Sequence, residues 1–316
     1  MQNRTLGRTG LSVAPIVFGG NVFGWTADEK TSFQLLDAFF DAGFNAIDTA
    51  DVYSAWVPGH QGGESETIIG KWLKSGSVKR DDAVIITKVG FDNNERKTGL
   101  SANWIATAVE NSLRRLQTDY IDLYLAHKPD DAVPLEETLG AFAQLKEAGK
   151  VRAIGCSNYD AEQLQGSLEV AEKTGLGRFD VLQPEYNLLT RDKFEGPLAD
   201  LCAREEIGVI NYYSLAAGFL TGKYRTKADT EGVARSYRVA NYLDPRGLAI
   251  LGAMDTIAAE TGARHADIAL AWLLAKPSIT APIASATSLS QLESFKRAVN
   301  LRLSDDMMRL LDEAGA

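Results

Sequence analysis

The chain has 316 residues, of which 45% are hydrophobic and 24% are charged, and its formal net charge is -9. A chain of this length can bury a large core without disulfides or structural metals. The composition is that of an ordinary globular protein, and the acidic excess argues against a general nucleic-acid binder.

Short apolar runs recur along the chain, with helix-like segments between them. They are nearly continuous in apolar residues rather than alternating, which is typical of parallel strands buried on both faces. The segment around Gly7–Gly10 predicts a small hairpin ahead of the first run. The sequence then predicts eight strands, at 14–20, 45–50, 83–89, 120–127, 151–158, 181–187, 208–214 and 280–286.

The segments between these strands contain helix signals. Thr26–Glu29 has the pattern of a capping box that opens a helix over 28–42. Ser101 precedes a segment whose apolar residues recur at helical spacing. Residues 134–150 combine an acidic first turn with a basic end and Gly149 near the stop. A polar stretch rich in arginine and lysine follows the seventh strand, and no linker divides the chain.

The number of strand–helix units predicts the fold class. Eight such units in roughly 300 residues are typical of an α/β fold of the (β/α)8 TIM-barrel type. The alternative is a doubly wound sheet, which usually opens with a glycine-rich phosphate-binding turn. Here the first strand ends in FGGNVFG, which is not GxGxxG, so the barrel is favoured. We expect residues 1–316 to form a single barrel domain with a short N-terminal β-hairpin.

Cysteine usage, the N-terminus and hydropathy indicate the compartment. Cys156 and Cys202 have neither metal-site spacing nor a CxxC motif, which fits a reducing environment and predicts no metal site. The first residues, MQNRTLGRTG, lack the apolar segment of a secretory signal. No apolar run approaches the ~18 residues that span a membrane. We therefore expect a cytoplasmic protein without a membrane or nucleic-acid partner.

Polar residues stand at the C-terminal ends of three neighbouring strands, which open at one mouth in a barrel. Asp48 follows strand 2, Lys88 ends strand 3, His127 ends strand 4, and Tyr53 is close enough to Asp48 to curl back over the opening. Each residue alone has a structural interpretation, such as a turn cap or a solvated strand end. Their convergence on one face favours a catalytic site. Asp51 has no assigned role and is interpreted as a local cap.

These motifs together resemble the aldo-keto reductase family. The resemblance rests on GFNAIDTADVYS…GGESETIIGKWL, ITKVG, YIDLYLAH, IGCSNY, LQPEYNLL and YYSLAAGFLTGKY, in this order over essentially the whole chain. The chain looks most like the bacterial branches that share features with potassium-channel β-subunits. The resemblance implies that Asp48, Tyr53, Lys88 and His127 form the catalytic tetrad of an NAD(P)H-dependent oxidoreductase.

The chemistry of hydride transfer accounts for these residue types. Tyr53 would give a proton to the carbonyl oxygen, but a free tyrosine has a pKa near ~10, too high for efficient donation at neutral pH. We therefore predict that the Lys88 ammonium lowers the pKa of Tyr53. Asp48 would keep Lys88 charged. His127 would donate a hydrogen bond that orients the carbonyl.

The resemblance also implies where a dinucleotide binds. The amide-rich trio Ser157, Asn158 and Gln183 suits a carboxamide, and Tyr213 would stack on the nicotinamide ring. Basic side chains on the loop beyond Tyr213 suit phosphate charge. The full expected set is Gly20, Asn21, Ser157, Asn158, Gln183, Tyr213, Ser214, Leu215, Gly218, Leu220, Lys223, Arg235, Ser285, Thr287 and Gln291.

Two segments depart from the family pattern. The segment YSLAAG lacks a proline that many relatives have, and Ser294 and Phe295 stand where a Glu-Asn pair for adenine is common. Thr287 and Gln291 match a binding pattern, although Ser288-x-x-Gln291 is also a capping box. We expect NADP as the preferred cofactor, with NAD possible and with a smaller preference than is common in the family.

The predicted activity is that of a carbonyl reductase or alcohol dehydrogenase acting on a small-molecule carbonyl or alcohol. The alternative is a nucleotide-binding regulatory subunit resembling the channel β-subunits. The loop SAWVPGHQGG offers Trp56 and His60, and Trp25 and Phe91 are further candidates for lining the pocket. These side chains predict an apolar or aromatic contact surface, or stacking on a sugar. The oligomeric state is left open.

Overall fold

A computed structural model describes residues 1–91, 99–232 and 235–316. The strands in these ranges are β1 Arg4–Thr5, β2 Ser12–Val13, β3 Val17–Gly19, β4 Ala46–Asp48, β5 Val84–Val89, β6 Ile121–Ala126, β7 Val151–Ser157, β8 Val181–Gln183, β9 Gly208–Val209 and β10 Ile283–Ala284. The α-helices are α1 Glu29–Asp41, α2 Glu64–Ser75, α3 Ala102–Leu116, α4 Leu135–Glu147, α5 Ala161–Thr174, α6 Pro197–Arg204, α7 Ser236–Val239, α8 Pro245–Thr261, α9 His265–Ala275, α10 Leu289–Asn300 and α11 Asp305–Ala314. Among these helices, none has both the length and the apolar character needed to cross a bilayer.

Eight parallel strands form one curled sheet in the order β10-β3-β4-β5-β6-β7-β8-β9. Backbone hydrogen bonds join its two ends: the amide of Thr280 donates to the carbonyl of Val209 at 2.8 Å, and the amide of Ile283 donates to that of Asn211 at 2.9 Å. These bonds bring the last strand of the sheet back to the first. The predicted barrel is confirmed, and each of the eight predicted runs contains one of its strands.

The antiparallel pair β1–β2 forms the predicted N-terminal hairpin. Leu6, Leu11 and Val13 of this segment pack in one apolar cluster with inward side chains of the barrel strands, among them Val17 and Val181. A second, larger cluster lies between the strands and the surrounding helices. The hairpin therefore covers the barrel interior at the end where the strands begin, and the opposite end is left for the polar strand ends.

The helix predictions hold with one correction. Helix α1 begins at Glu29, but its N-cap is Asp28, whose carboxylate accepts the amide hydrogen of Thr31 at 2.8 Å. The predicted capping box at Thr26–Glu29 is therefore wrong by two residues, since Asp28 is equally able to cap. Helix α3 follows Ser101 as predicted, although that hydroxyl makes no capping bond. In the basic stretch after the seventh strand, residues 233–234 lie outside the described ranges.

Candidate active site

The alternation of side chains along a strand decides which of them reach the barrel interior. Ala46 of β4 and Ile86 of β5 pack into the inner cluster, while their sequence neighbours pack outward against the helices. Because every second residue shares a face, Asp48 and Lys88 also point inward, one step nearer the mouth. The same alternation carries His127 to the mouth just beyond β6. Strand register thus gathers these polar groups at one end of the barrel.

Lys88 is fully buried and lies at the centre of the site. Its Nζ lies 2.8 Å from both carboxylate oxygens of Asp48. It also donates to the carbonyl of Thr49 at 2.7 Å and to the hydroxyl of Tyr53 at 2.9 Å. An ammonium group has three N–H donors, so these contacts use all of them. The Tyr53 hydroxyl in turn donates to Oδ2 of Asp48 at 3.2 Å.

Tyr53 reaches the tetrad because the chain reverses direction after β4. Its backbone amide donates to the carbonyl of Ala50 at 3.1 Å. The next residue, Ser54, has a left-handed backbone (φ 72°), and its buried hydroxyl donates to the carbonyl of Phe23 at 2.7 Å. A non-glycine residue in this conformation is uncommon and needs support from its surroundings. Ser54 therefore anchors the turn that aims Tyr53, a role that the sequence did not indicate.

The charges of the site differ from the sequence expectation in one respect. Burial and the Asp48 carboxylate hold the pKa of Tyr53 well above its ordinary value. The expected lowered pKa of Tyr53 is therefore not found at rest, because burial and the Asp48 carboxylate, which accepts the phenol hydrogen, outweigh any effect of the Lys88 ammonium. Burial lowers the pKa of Lys88, and Asp48 opposes that effect. Burial and the positive charge of Lys88 lower the pKa of His127 well below its ordinary value, so the imidazole is neutral.

The amide-rich trio lies directly beside the tetrad. Nε2 of Gln183 donates to Oδ1 of Asp48 at 2.7 Å, and the Ser157 hydroxyl donates to the backbone carbonyl of Gln183 at 2.8 Å. Nδ2 of Asn158 donates to the backbone carbonyl of His127 at 2.8 Å. The trio and the tetrad thus form one hydrogen-bonded unit. An amide nitrogen has two N–H groups, so Gln183 can hold Asp48 and still offer a donor to a ligand.

Tyr213 lies at the mouth and has a left-handed backbone (φ 54°). The guanidinium of Arg238 lies 4.6 Å from the centre of its ring, and that of Arg235 lies 5.1 Å from the ring of Trp25. Within the described ranges, Arg235 forms no salt bridge with a carboxylate. Lys223 is exposed, with its ammonium 4.8 Å from the ring of Tyr224. This loop therefore offers positive charge to an anionic ligand.

The loop after Tyr213 has an unusual backbone. Ala216, Ala217 and Gly218 are all left-handed, with φ of 46°, 57° and 99°. Successive residues with such turns direct their N–H groups toward one point and form a concavity that binds anions. Strained alanines of this kind persist at functional sites, where the surrounding structure enforces them. The Ser214 hydroxyl supports the loop by donating to the carbonyl of Ile283 at 2.7 Å. Leu220, by contrast, is fully buried in the core.

The candidates around β10 bond mainly to one another. The Ser285 hydroxyl donates to Oδ1 of Asn21 at 2.7 Å. The amide and the hydroxyl of Thr287 donate to Oε1 of Gln291 at 2.8 and 3.2 Å. Phe295, which stands where the family pattern often has an adenine contact, is 1% exposed and packs in the core. This segment offers hydroxyls and an amide but places no cation among these four side chains.

Close packing requires glycine beside Asp48. A Cβ on Gly20 would lie 3.0 Å from the carbonyl oxygen of Asp48 and 3.0 Å from Oγ of Ser65. The hydroxyl of Ser65 donates to the Gly20 carbonyl at 2.8 Å. The first predicted cofactor residue is therefore a point where the backbone passes close behind the tetrad.

Aromatic side chains form the wall around the tetrad. Trp56 lies 6.0 Å from the Tyr53 ring and Phe91 lies 4.8 Å from the His127 ring, measured between centroids. Trp56 is 47% exposed and Phe91 is 41% exposed, so both present free ring surface. Trp25 extends this wall, at 5.6 Å from Trp56.

His60 lies apart from this wall. It lines a groove of about 710 Å³ between the starts of α1 and α2, together with Trp25, Glu64 and Lys71. None of the tetrad residues lines that groove. This groove lies beside the tetrad rather than on it, since the distances among Asp48, Lys88 and Tyr53 mark the reactive centre.

Comparison with known proteins agrees with this geometry. The model of the aldo/keto reductase family matches residues 15–316. The chain belongs to the aldo/keto reductase family. Family membership makes it an NAD(P)H-dependent oxidoreductase and confirms the resemblance found in the sequence.

Several relatives align over nearly their whole length. The chain is 35% identical to "Uncharacterized oxidoreductase YrpG" of Bacillus subtilis (strain 168), over 99% of this chain and 95% of the relative. It is 34% identical to "Aldo-keto reductase YhdN" of the same organism, over 97% and 91%. It is also 34% identical to "Probable voltage-gated potassium channel subunit beta" of Oryza sativa subsp. japonica, over 95% and 92%. Both kinds of relative anticipated from the motifs are thus present.

Proposed function

We propose that the protein is a carbonyl reductase that transfers a hydride between NADPH and the carbonyl carbon of an aldehyde or ketone, or catalyses the reverse alcohol oxidation. A bound nicotinamide would supply or accept the hydride. Tyr53 is the proton donor in this proposal. The supporting observation is the contact of the Tyr53 hydroxyl with both Lys88 Nζ, at 2.9 Å, and Asp48 Oδ2, at 3.2 Å.

At rest Tyr53 is protonated, because burial and Asp48 hold its pKa well above the ordinary value. Efficient donation then requires a contact that stabilises the anion left behind. Once the proton leaves, the oxygen becomes an anion 2.9 Å from Nζ of Lys88, and that contact then stabilises it. Asp48 keeps Lys88 protonated against the effect of burial. His127, as a neutral imidazole, has one N–H to donate to the substrate oxygen.

The residues at the mouth fit a nicotinamide dinucleotide. Gln183 and Asn158 would hold a carboxamide, which both donates and accepts hydrogen bonds. Tyr213 would supply the stacking surface. The left-handed residues 216–218 and the guanidinium of Arg235 would hold phosphate oxygens. We propose NADP as the preferred cofactor, with a modest preference because the segment around Thr287 lacks the charged group that best grips a 2′-phosphate.

The same proposal makes residues 1–316 one cytoplasmic barrel domain. Both cysteines, Cys156 and Cys202, are buried and unpaired. Unpaired buried thiols fit a compartment that keeps cysteines reduced.

Turnover of a purified sample tests the proposal. NADPH consumption would be followed with a panel of aldehydes, ketones and polyols, with NADH in parallel. Tyr53→Phe should abolish most turnover, whereas Tyr120→Phe is the matched control, because the hydroxyl of Tyr120 bonds to Asp81 outside the barrel. Equal turnover by Tyr53→Phe and the wild type would reject Tyr53 as the acid.

The alternative is a nucleotide-binding regulatory subunit, favoured by the 34% identity to the rice protein named as a potassium-channel subunit. Both functions use a bound dinucleotide, so binding alone does not separate them. Tight NADPH binding without turnover on any carbonyl of the panel would favour the regulatory role. Turnover that depends on Tyr53 would favour the reductase.

A further inference from the structure

Asp51 is an acid of the loop after β4 that the tetrad does not use. Its Oδ1 is buried and has no hydrogen-bond partner among the described residues. A cap would accept backbone N–H groups with its carboxylate. The amide of Val52 acts on the carboxylate of Asp51, but no described residue bonds to Oδ1. The interpretation of Asp51 as a local cap therefore leaves this oxygen unexplained.

Asp51 lies against the tetrad through its backbone. Its amide donates to the carbonyl of Lys88 at 3.2 Å, three residues after Asp48 in the same loop. Glu66 of α2 is a buried acid in the helix layer, and its charge raises the pKa of Asp51. Arg115 of α3 binds Glu66 and opposes this effect. Tyr124 of β6 faces the same acids, and its hydroxyl is also buried with no partner in the described part of the chain.

The cations near Asp51 already serve other acids. Lys88 donates to the carboxylate of Asp48, to a carbonyl and to Tyr53, which uses its full set of donors. Arg115 binds Oε2 of Glu66 through Nε and Nη2, each at 2.6 Å. A half-buried carboxylate with a buried oxygen and no counter-charge of its own is more readily protonated than a solvated one. Burial and the neighbouring Glu66 raise the pKa of Asp51 to about 7, with Arg115 and Lys88 opposing them.

We propose that Asp51 is a positioning residue of the reductase, protonated when carbonyl reduction is fastest, and that its ionisation slows the reaction by adding a second negative charge beside Lys88 and Tyr53. The inference rests on the proposed function, since it concerns the proton that Tyr53 delivers. The neutral acid leaves Lys88 with Asp48 as its one close counter-ion among the described residues. The ionised acid makes the tyrosinate that follows proton transfer less favourable, because like charges repel in a poorly solvated site.

The pH dependence of Asp51→Asn is the first test, because asparagine has the shape and the neutrality of the protonated acid. The wild-type rate of reduction should fall on the order of tenfold as the pH rises through about 7, and Asp51→Asn should lose this fall while keeping the rate measured near pH 6. Asp51→Glu restores a titratable group and should restore the fall. Asp37→Asn is the control, because Asp37 accepts from Nε1 of Trp72 at 2.7 Å, outside the site.

Thermal unfolding gives a second readout that needs no turnover. An acid with a raised pKa in the folded state stabilises the protein at low pH, and this contribution is lost as the pH rises through that pKa. Asp51→Asn should therefore melt several degrees above the wild type near pH 8, with the difference shrinking toward pH 5.

The outcomes separate the inference from the proposed function. A wild-type protein that turns over no carbonyl, while Asp51→Asn still shows the pH-dependent gain in melting temperature, rejects the reductase and with it the kinetic role of Asp51. A wild-type protein that is active, with an unchanged pH profile in Asp51→Asn, overturns the inference alone. The inference would also be overturned if the melting temperatures of Asp51→Asn and the wild type differed by the same amount near pH 5 and near pH 8. The pKa of Asp51 would then be the same in the folded and unfolded states.

Discussion

Removing Asp48 tests the charge pairing on which the proposed chemistry depends. In Asp48→Asn, the buried ammonium of Lys88 loses the carboxylate whose oxygens lie 2.8 Å away. Because burial already lowers the pKa of Lys88, the unpaired amine should give up its proton. Lys88→Met removes the same positive charge directly. Each single change therefore leaves the developing tyrosinate of Tyr53 without its cation.

The expected losses follow from the cost of that missing charge. Breaking a buried ion pair by removing one partner costs about 3–5 kcal/mol of stability. A loss of about 3–4 kcal/mol from the transition state corresponds to roughly 10²–10³-fold in kcat/KM. Lys88→Met should reach the upper part of this range. Asp48→Asn should lose less, because asparagine can still accept hydrogen bonds from Tyr53 and Gln183.

The double variant Asp48→Asn/Lys88→Met decides whether the two residues act as one unit. Its kcat/KM, measured as NADPH consumption with one aldehyde, should match that of Lys88→Met alone, because the first change already removes what the second would remove. Its free energy of unfolding in urea should exceed that of either single variant, since it buries neither an amine forced to lose its proton nor an unpaired carboxylate. A rate loss equal to the product of the single losses would refute the paired action of Asp48 and Lys88.

The remaining predictions concern the proton donor, the aromatic wall and the cofactor. Tyr53→Phe should lower kcat at least ~100-fold with little change in the NADPH dissociation constant, as checked by steady-state kinetics and fluorescence titration. Trp56→Ala should raise KM for an aromatic aldehyde more than for a short aliphatic one, since it removes exposed ring surface beside Tyr53; equal changes would count against stacking. The ratio of kcat/KM for NADPH over NADH should be on the order of ten, and a preference for NADH would contradict the role given to Arg235.

The barrel and the convergence of Asp48, Tyr53 and Lys88 were predictable from the sequence because both depend on local pattern. Continuous apolar runs of strand length specify buried parallel strands. A polar residue that ends such a run, such as Lys88 after Ile86, must lie at the mouth, because the alternation of the strand has only two faces. The position of Asp48 follows from the same rule. Closure of the barrel follows from the number of strands, because the eighth barrel strand, β10, pairs with the first, β3.

The features that the sequence did not provide depend on contacts that local pattern leaves open. The direction of the Tyr53 pKa shift depends on whether the phenol donates to Asp48 as well as lying near Lys88, and both contacts are made across a turn. The cap of α1 was misplaced because Thr26 and Asp28 are both competent capping residues. Phe295 gave no sign that it faces the core rather than a ligand, since an apolar residue on an amphipathic helix can do either.

The polar side chains around Lys88 carry little net charge, because their charges compensate one another or are absent. Asp48 compensates Lys88, His127 is neutral, and Tyr53 keeps its proton. In the proposed reaction the hydride comes from the nicotinamide, which becomes cationic, and the proton comes from this set, so the set itself gains one negative charge, on the oxygen of Tyr53. That oxygen is already 2.9 Å from the ammonium. The negative charge that these side chains gain therefore arises beside the cation that stabilises it, and in the proposal above the neutral form of Asp51 preserves that advantage.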